Sequence, residues 1–111
     1  MTSELKDPFE RIDVDKAKAM LDKGDVMLID VREPQEWAQG RIPNAKLVPL
    51  MTLMSNPREV VPEGHVIFHC AEGIRSALAC EVAAAIGRKD IYNMEGGIKA
   101  WEAKGYPVEK G

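Results

Sequence analysis

The chain has 111 residues, of which 45% are hydrophobic and 30% charged. That balance is typical of one globular domain with a single core. A formal net charge of −3 without a Lys/Arg run argues against a nucleic-acid partner. No apolar run approaches the roughly 20 residues that span a bilayer, and the start lacks the pattern of a secretory signal. We expect a cytoplasmic domain over residues 9–111 after a flexible segment over residues 1–8, with no membrane partner.

The two cysteines, Cys70 and Cys80, fit neither a CxxC motif nor a zinc-ligand spacing. We therefore predict no metal and no other cofactor. A disulfide between them is disfavoured, because Cys80 would project from a helix that starts after the Cys70 loop. Cys80 is interpreted as a small buried hydrophobic residue, and a reducing compartment suits both thiols.

Strands and helices are predicted to alternate along the chain. Asp13 is the expected N-cap of the first helix and Gly24 its expected end, while residues 56–64 are expected to form a loop. Strands are predicted over residues 9–12, 26–31, 46–48, 65–69 and 91–94, and helices over residues 14–23, 34–39, 50–55, 75–86 and 98–104. This order indicates an α/β fold with a mainly parallel sheet.

Several apolar side chains are assigned to the core or the surface of the sheet. Trp37 and Trp101 are interpreted as core residues, and Met51 and Met54 as residues that cover the sheet. The helix over residues 75–86 is expected to pack closely through small alanines, with its larger apolar residues sharing one face, namely Leu78, Val82, Ala85 and Ile86.

Three polar or glycine-rich positions follow predicted strands. These are Asp30, Cys70 and the turn over residues 95–97. Ligands of open α/β sheets bind at the carboxyl ends of the strands, so we expect these positions to converge there. For Asp30, pointing into the site and capping a loop are equally compatible with the sequence.

The strongest chemical signal is the strand, turn and helix around Cys70. A thiol at this hinge would face backbone N–H groups and the positive end of a helix dipole, which both favour the thiolate. Gly73 permits a tight turn, Arg75 adds a cation and Ser76 a hydroxyl. The arrangement would stabilise an anion on Cys70, either sulfur in a persulfide or oxygen in a phosphoryl group. His69 is interpreted as a packed residue rather than a base, because neighbours in a strand point to opposite faces.

Three blocks of the chain resemble the single-domain rhodaneses. The first block looks like the family's D-V-R, E-[FYW] and G-H-I-P-G-A pattern, which corresponds to residues 28–33, 36–37 and 40–45. It departs from that pattern at Arg41, where the family has His, and at Asn44, where it has Gly. Residues 70–76 resemble its C-x-x-G-x-R-S loop, and residues 94–101 its L-x-G-G-x-x-x-W block. The match extends over nearly the whole chain.

This resemblance implies a three-layer α/β/α fold with a five-stranded, mainly parallel sheet. It also implies a sulfurtransferase whose Cys70 takes sulfane sulfur from thiosulfate or a persulfide and passes it to cyanide, a thiol or a protein acceptor. The substrate-binding cradle implied by the resemblance comprises Ala71, Glu72, Gly73, Ile74, Arg75 and Ser76. The supporting residues are Asp30, which would brace the loop, together with Arg32, Glu36, Gly96 and Gly97.

Two other classes of function remain as alternatives. Related cysteine phosphatases use a loop with five residues between Cys and Arg, whereas Cys70 and Arg75 enclose four, so a phosphatase or arsenate reductase is disfavoured. A sulfur carrier or a rhodanese-like module that only binds partners is the other alternative. Glu72, expected to face solvent, should oppose thiosulfate, which makes thiosulfate a weak donor and predicts a faster reaction for Glu72→Lys.

Overall fold

The computed structural model describes residues 8–110, so the expected flexible segment lies outside the described residues apart from Pro8. The strands are β1 (Glu10–Ile12), β2 (Met27–Asp30), β3 (Lys46–Leu47), β4 (Val66–His69) and β5 (Ile91–Met94). The helices are α1 (Val14–Lys23), α2 (Pro34–Gln39), α3 (Leu50–Ser55), α4 (Pro57–Val60), α5 (Ile74–Ala85) and α6 (Gly97–Ala103).

The five strands form one sheet in the order β1-β5-β4-β2-β3. Every pair of neighbouring strands is parallel, which confirms the predicted mainly parallel sheet. Strand β4 lies in the centre, and all four of its residues are buried. Asp30 and His69, the last residues of β2 and β4, are register partners, so the carboxyl ends of the central strands meet at one edge.

Two apolar cores lie on opposite faces of the sheet and make the fold three-layered. One core joins the sheet to α3 and α5 through residues such as Phe68, Leu53 and Ala79. The other joins it to α1 and α6 through residues such as Ile67 and Trp101. Alternate residues of β4 therefore enter different cores, as the two-residue repeat of a strand requires.

Local signals set the ends of the first two helices. Asp13 caps α1 by accepting a hydrogen bond from the Lys16 amide at 2.8 Å, and Gly24 ends the helix with a φ of 86°. Helix α2 begins with a capping box in which the Glu36 side chain accepts from the Glu33 amide at 2.9 Å. This box fixes Glu36 in the position from which it reaches the Cys70 loop.

One prediction about the elements is wrong, and the packing predicted for α5 is confirmed. The expected loop over residues 56–64 contains α4, which begins at Pro57, a residue suited to the first turn of a helix. Helix α5 packs closely on the sheet through its small residues, as predicted, and buries Ser76, Ala79, Cys80 and Ala83. Of its larger residues, Val82 and Ile86 pack against the core while partly buried, and Leu78 is 40% exposed.

Three predictions about apolar side chains are also wrong. Trp37 is only half-buried, because its ring lies under the Arg41 guanidinium instead of inside the core. Met51 and Met54 do not cover the sheet; they are 69% and 44% exposed, because α3 directs Leu53 inward instead. The burial of Trp101 is confirmed. Among the described residues, none of the helices has the length and apolar character needed to cross a bilayer.

Candidate active site

Cys70 directly follows β4 and is almost completely buried, with 1% of its surface exposed. The next residues turn sharply at Gly73, whose φ of 105° favours glycine, and α5 then begins at Ile74. The turn directs backbone N–H groups at the Cys70 sulfur. The Gly73 amide donates to Sγ at 3.1 Å and the Ser76 amide at 3.4 Å, with Ser76 Oγ 3.5 Å away.

These hydrogen bonds control the ionisation of Cys70. Burial raises the pKa of the Cys70 thiol, but the hydrogen bonds around the sulfur, including those from the backbone amides of Ser76, Gly73 and Glu72, outweigh it and hold the pKa below its usual value. In Cys80, by contrast, burial raises the thiol pKa. The geometry therefore favours a reactive thiolate at Cys70 and an inert thiol at Cys80.

Arg75 reaches α2 and is held there by Glu36. Its Nη1 and Nη2 atoms lie 2.8 and 2.9 Å from the two Glu36 carboxylate oxygens. The Arg75 hydrogen bond is the main cause that lowers the pKa of Glu36 to about 2. Arg75 was predicted to lie in the cradle and Glu36 to support it, and the two side chains form a bidentate ion pair.

Asp30 and Arg32 form a buried ion pair below the loop. Arg32 Nη2 lies 2.8 Å from Asp30 Oδ2 and donates to the Gly40 carbonyl at 2.7 Å. Asp30 reaches the Cys70 segment through His69: Oδ2 lies 3.5 Å from His69 Nε2, and His69 Nδ1 donates to the Cys70 carbonyl at 3.1 Å.

The start of α6 supports the same segment from the other side. The Ile98 amide donates to the Cys70 carbonyl at 2.9 Å, and the Lys99 amide to the Ala71 carbonyl at 3.2 Å. A Cβ atom at Gly97 would lie 2.4 Å from the Ala71 oxygen and one at Gly96 2.6 Å from the side chain of Ala100. Gly97 therefore permits the close approach of α6 to the loop, whereas Gly96 leaves room for Ala100 of α6 itself.

The solvent-exposed side of the Cys70 loop, here called its entrance, is formed by Glu72, Ile74 and Lys99 and carries one negative and one positive charge. Glu72 and Lys99 form an ion pair at 2.6 Å, with more than half of each side chain exposed, while Ile74 is 76% exposed. An open cleft of about 230 Å³ borders the loop at Ala71 and Lys99.

Asn93 of β5 is a polar residue beside the loop that was not predicted from the sequence. Its side chain is completely buried and hydrogen-bonds to Ser76, Gly73 and Glu95. The available signal was an amide within the otherwise apolar segment of residues 91–94. Among the described residues, no group of three or more His, Cys, Asp or Glu side chains could hold a metal ion.

Comparisons with known proteins agree with the sequence blocks and the fold. Residues 13–104 match the model of the rhodanese-like domain family. The chain is 35% identical over 92 residues to a sulfurtransferase of Allochromatium vinosum, covering 83% of this chain and 86% of the relative. It is 30% identical over 95 residues to the thiosulfate sulfurtransferase GlpE of Pseudoalteromonas translucida, covering 86% and 90% of the two chains.

A comparison with a solved structure also indicates a rhodanese-like fold. The chain superposes on a rhodanese-like domain protein of Staphylococcus aureus with a TM-score of 0.78 and 36% sequence identity, covering 93% of this chain and 99% of the other. The match extends over nearly all of both chains. The protein described here belongs to the rhodanese-like domain family.

Proposed function

We propose that this protein is a sulfurtransferase that carries sulfane sulfur as a persulfide on Cys70. The ionised thiol attacks the outer sulfur of thiosulfate, the S–S bond of the donor breaks, and sulfite leaves with the bonding electron pair. An acceptor such as cyanide or a thiolate then attacks the terminal sulfur. Cys70 leaves as the thiolate, ready for the next donor.

The observation that carries this proposal is the set of amides directed at one sulfur atom. The loop from Cys70 to Ser76 brings two backbone N–H groups within 3.4 Å of Sγ, where they would stabilise an anionic sulfur. Only four residues separate Cys70 from Arg75. This short loop favours sulfur over the larger phosphoryl group. Relatives named sulfurtransferase and thiosulfate sulfurtransferase support the same chemistry.

The donor is proposed to be thiosulfate or the persulfide of a small thiol or protein. Lys99 lies against Glu72 at the entrance, so the acidic residue is offset by a cation and opposes a dianionic donor less than its sequence position suggests. Both cysteines are free thiols. A reducing cytoplasm would keep them so, and a protein acceptor remains compatible with the exposed entrance.

The test is to incubate the protein with thiosulfate and measure its intact mass. We expect a gain of one sulfur atom, which cyanide removes as thiocyanate. Cys70→Ser should lose both the added mass and the product, whereas Cys80→Ser is the matched control and should retain them. Retention of sulfur by Cys70→Ser, or its loss in Cys80→Ser, would contradict the assignment of Cys70.

The same preparations separate the alternatives. Hydrolysis of an aryl phosphate that depends on Cys70 would favour the phosphatase chemistry. A folded protein that takes up sulfur but transfers it only to another protein would be a carrier. One that neither binds sulfur nor cleaves phosphate would be a binding module.

A further inference from the structure

Asn93 is a completely buried polar residue that connects β5 to Gly73 and Ser76 of the Cys70 loop. Its side-chain nitrogen donates to the Gly73 carbonyl at 3.2 Å and to a Glu95 carboxylate oxygen at 2.5 Å. Its side-chain oxygen lies 2.5 Å from Ser76 Oγ. The side-chain nitrogen and the side-chain oxygen of Asn93 therefore both have hydrogen-bond partners.

The chemistry of these partners fixes the direction of each hydrogen bond. Carbonyl and carboxylate oxygens only accept, so the Asn93 nitrogen must face Gly73 and Glu95, and its oxygen must face Ser76. An amide oxygen also only accepts, so the Ser76 hydroxyl must be the donor. Since a hydroxyl has one hydrogen, Ser76 Oγ turns its lone pairs, and not its hydrogen, toward Cys70 Sγ at 3.5 Å.

We propose that Asn93 is a positioning residue of the sulfur site, which takes the hydroxyl hydrogen of Ser76 and leaves the stabilisation of ionised Cys70 to the backbone amides. In the neutral thiol, Cys70 S–H donates to Ser76 Oγ. In the thiolate, the sulfur receives hydrogen bonds from the Gly73 and Ser76 amides and faces the lone pairs of the hydroxyl.

This arrangement keeps Cys70 a good nucleophile. A hydroxyl donating to sulfur would stabilise the thiolate further, and nucleophilicity falls as the thiol pKa falls. A catalytic role for Asn93 rests on the proposed sulfur transfer. Its test, however, measures only the ionisation of Cys70 and needs no sulfur donor.

The first variant is Ser76→Ala, which removes the hydroxyl and retains the backbone amide. The rate of alkylation by iodoacetamide is measured against pH in a Cys80→Ala background, so that it reports the pKa of Cys70. We expect an unchanged or lower pKa, because the lost oxygen presented only lone pairs to the sulfur. A rise in the pKa would mean that the hydroxyl donates to the thiolate and would overturn the proposal. The exposed Ser55→Ala is the matched control and should leave the profile unchanged.

The second variant is Asn93→Leu, which removes the acceptor and frees the hydroxyl hydrogen for the sulfur. The pKa of Cys70 should fall, and adding Ser76→Ala should abolish that fall. A fall that persists in the double variant, or a rise, would contradict the role of Asn93. Should Asn93→Leu fail to fold, as judged by thermal unfolding, the result with Ser76→Ala decides alone. Normal alkylation profiles without sulfur uptake would refute the sulfurtransferase and leave the role of Asn93 intact.

Discussion

Glu72 and Lys99 face each other at the entrance to the Cys70 loop, where each is more than half exposed. Their hydrogen bond is the main cause that lowers the pKa of Glu72 and raises that of Lys99. Both groups therefore carry full charge over the working pH range. Because the pair is in solvent, it should contribute little to stability, but its charges lie where a dianionic donor would approach.

The first prediction concerns Lys99→Ala. Removing the cation leaves the exposed Glu72 carboxylate of the Cys70 loop without the charge of Lys99, so kcat/KM with thiosulfate should fall by about two- to five-fold at low ionic strength, and salt should reduce the difference. Glu72→Gln should raise the rate, as should Glu72→Lys. Lys104→Ala is the matched control, because Lys104 pairs with Asp15 at 3.0 Å at the other end of α6. Equal losses in both lysine variants would refute an electrostatic effect local to the loop.

The sequence could single out Cys70 as the candidate reactive residue because the turn glycine, the arginine and the helix start are all local features. It could not supply the partner of Glu72, since Lys99 lies 27 residues away and only the docking of α6 brings it close. Asn93 was missed for a related reason. The function of an amide side chain within a strand can be inferred only when its hydrogen-bond partners are known, and those of Asn93 are distant in the sequence.

The second prediction concerns the link between α2 and α5, in which Glu36 holds Arg75. Glu36→Gln removes the charge of a bidentate pair, so sulfur uptake should slow and stability should fall. Since folding lowers the pKa of Glu36 from its ordinary 4.5 to about 2, the stabilisation is complete above pH 4.5 and is lost as the pH falls toward 2. The difference in free energy of unfolding from wild type should shrink over that interval.

The control is Glu59→Gln, because Glu59 of α4 is exposed and its substitution also removes one carboxylate charge. Its effect on sulfur uptake should be negligible. Parallel unfolding curves for wild type and Glu36→Gln throughout the acidic range would show that the ion pair does not stabilise the fold.

The third prediction concerns the contact of α6 with the loop. In Gly97→Ala the new methyl group would meet the Ala71 and Cys70 carbonyl oxygens at 2.4 and 2.5 Å, so the backbone must move. We expect a loss of about 2–4 kcal/mol in stability and a strong loss of sulfur uptake. Gly105→Ala is the matched control: Gly105 also has a positive φ, 77°, but open space around it, so it should cost only about 1 kcal/mol. If both variants lost the same free energy of unfolding, backbone strain at a positive φ, and not the contact with the loop, would explain the destabilisation of Gly97→Ala.

Element positions were predictable where local chemistry determines them. The cap at Asp13, the end at Gly24 and the strand over residues 91–94 agree closely with the structure. Helix α4 was missed because Asn56 and Pro57 suit both a turn and a helix start. The close packing of α5 was predictable from its alanines, because small side chains let a helix approach a sheet.

At the scale of the whole molecule, the alternation of strands and helices predicted the fold class but not the order of the strands. Which strands are neighbours depends on the crossover connections, which leave no local pattern. That order nevertheless brings β2 beside β4 and makes Asp30 the register partner of His69. The Asp30 carboxylate, the Arg32 guanidinium and the His69 imidazole are thereby buried together, and the protonation of His69 should affect the stability of the entire domain.

The fourth prediction follows from His69, which is completely buried. Burial lowers its pKa, against the opposing effect of Asp30, whose charge Arg32 already balances at 2.8 Å. Because Nδ1 donates to the Cys70 carbonyl, Nε2 carries no hydrogen in the neutral ring and has no hydrogen-bond partner among the described residues. The folded protein thus holds the neutral form, whereas the unfolded chain takes up a proton near pH 6.5.

Stability should therefore be complete above pH 6.5 and fall by up to about 1.4 kcal/mol per pH unit below it, until the folded state also takes up the proton. In His69→Gln, which retains an amide donor for the Cys70 carbonyl, this loss should disappear. The variant would be less stable than wild type at pH 8, and the two unfolding curves should converge as the pH falls toward 5. Denaturant unfolding at a series of pH values measures this directly. If wild type instead gained stability relative to the variant on acidification, His69 would be protonated in the fold and its pairing with Asp30 would outweigh burial.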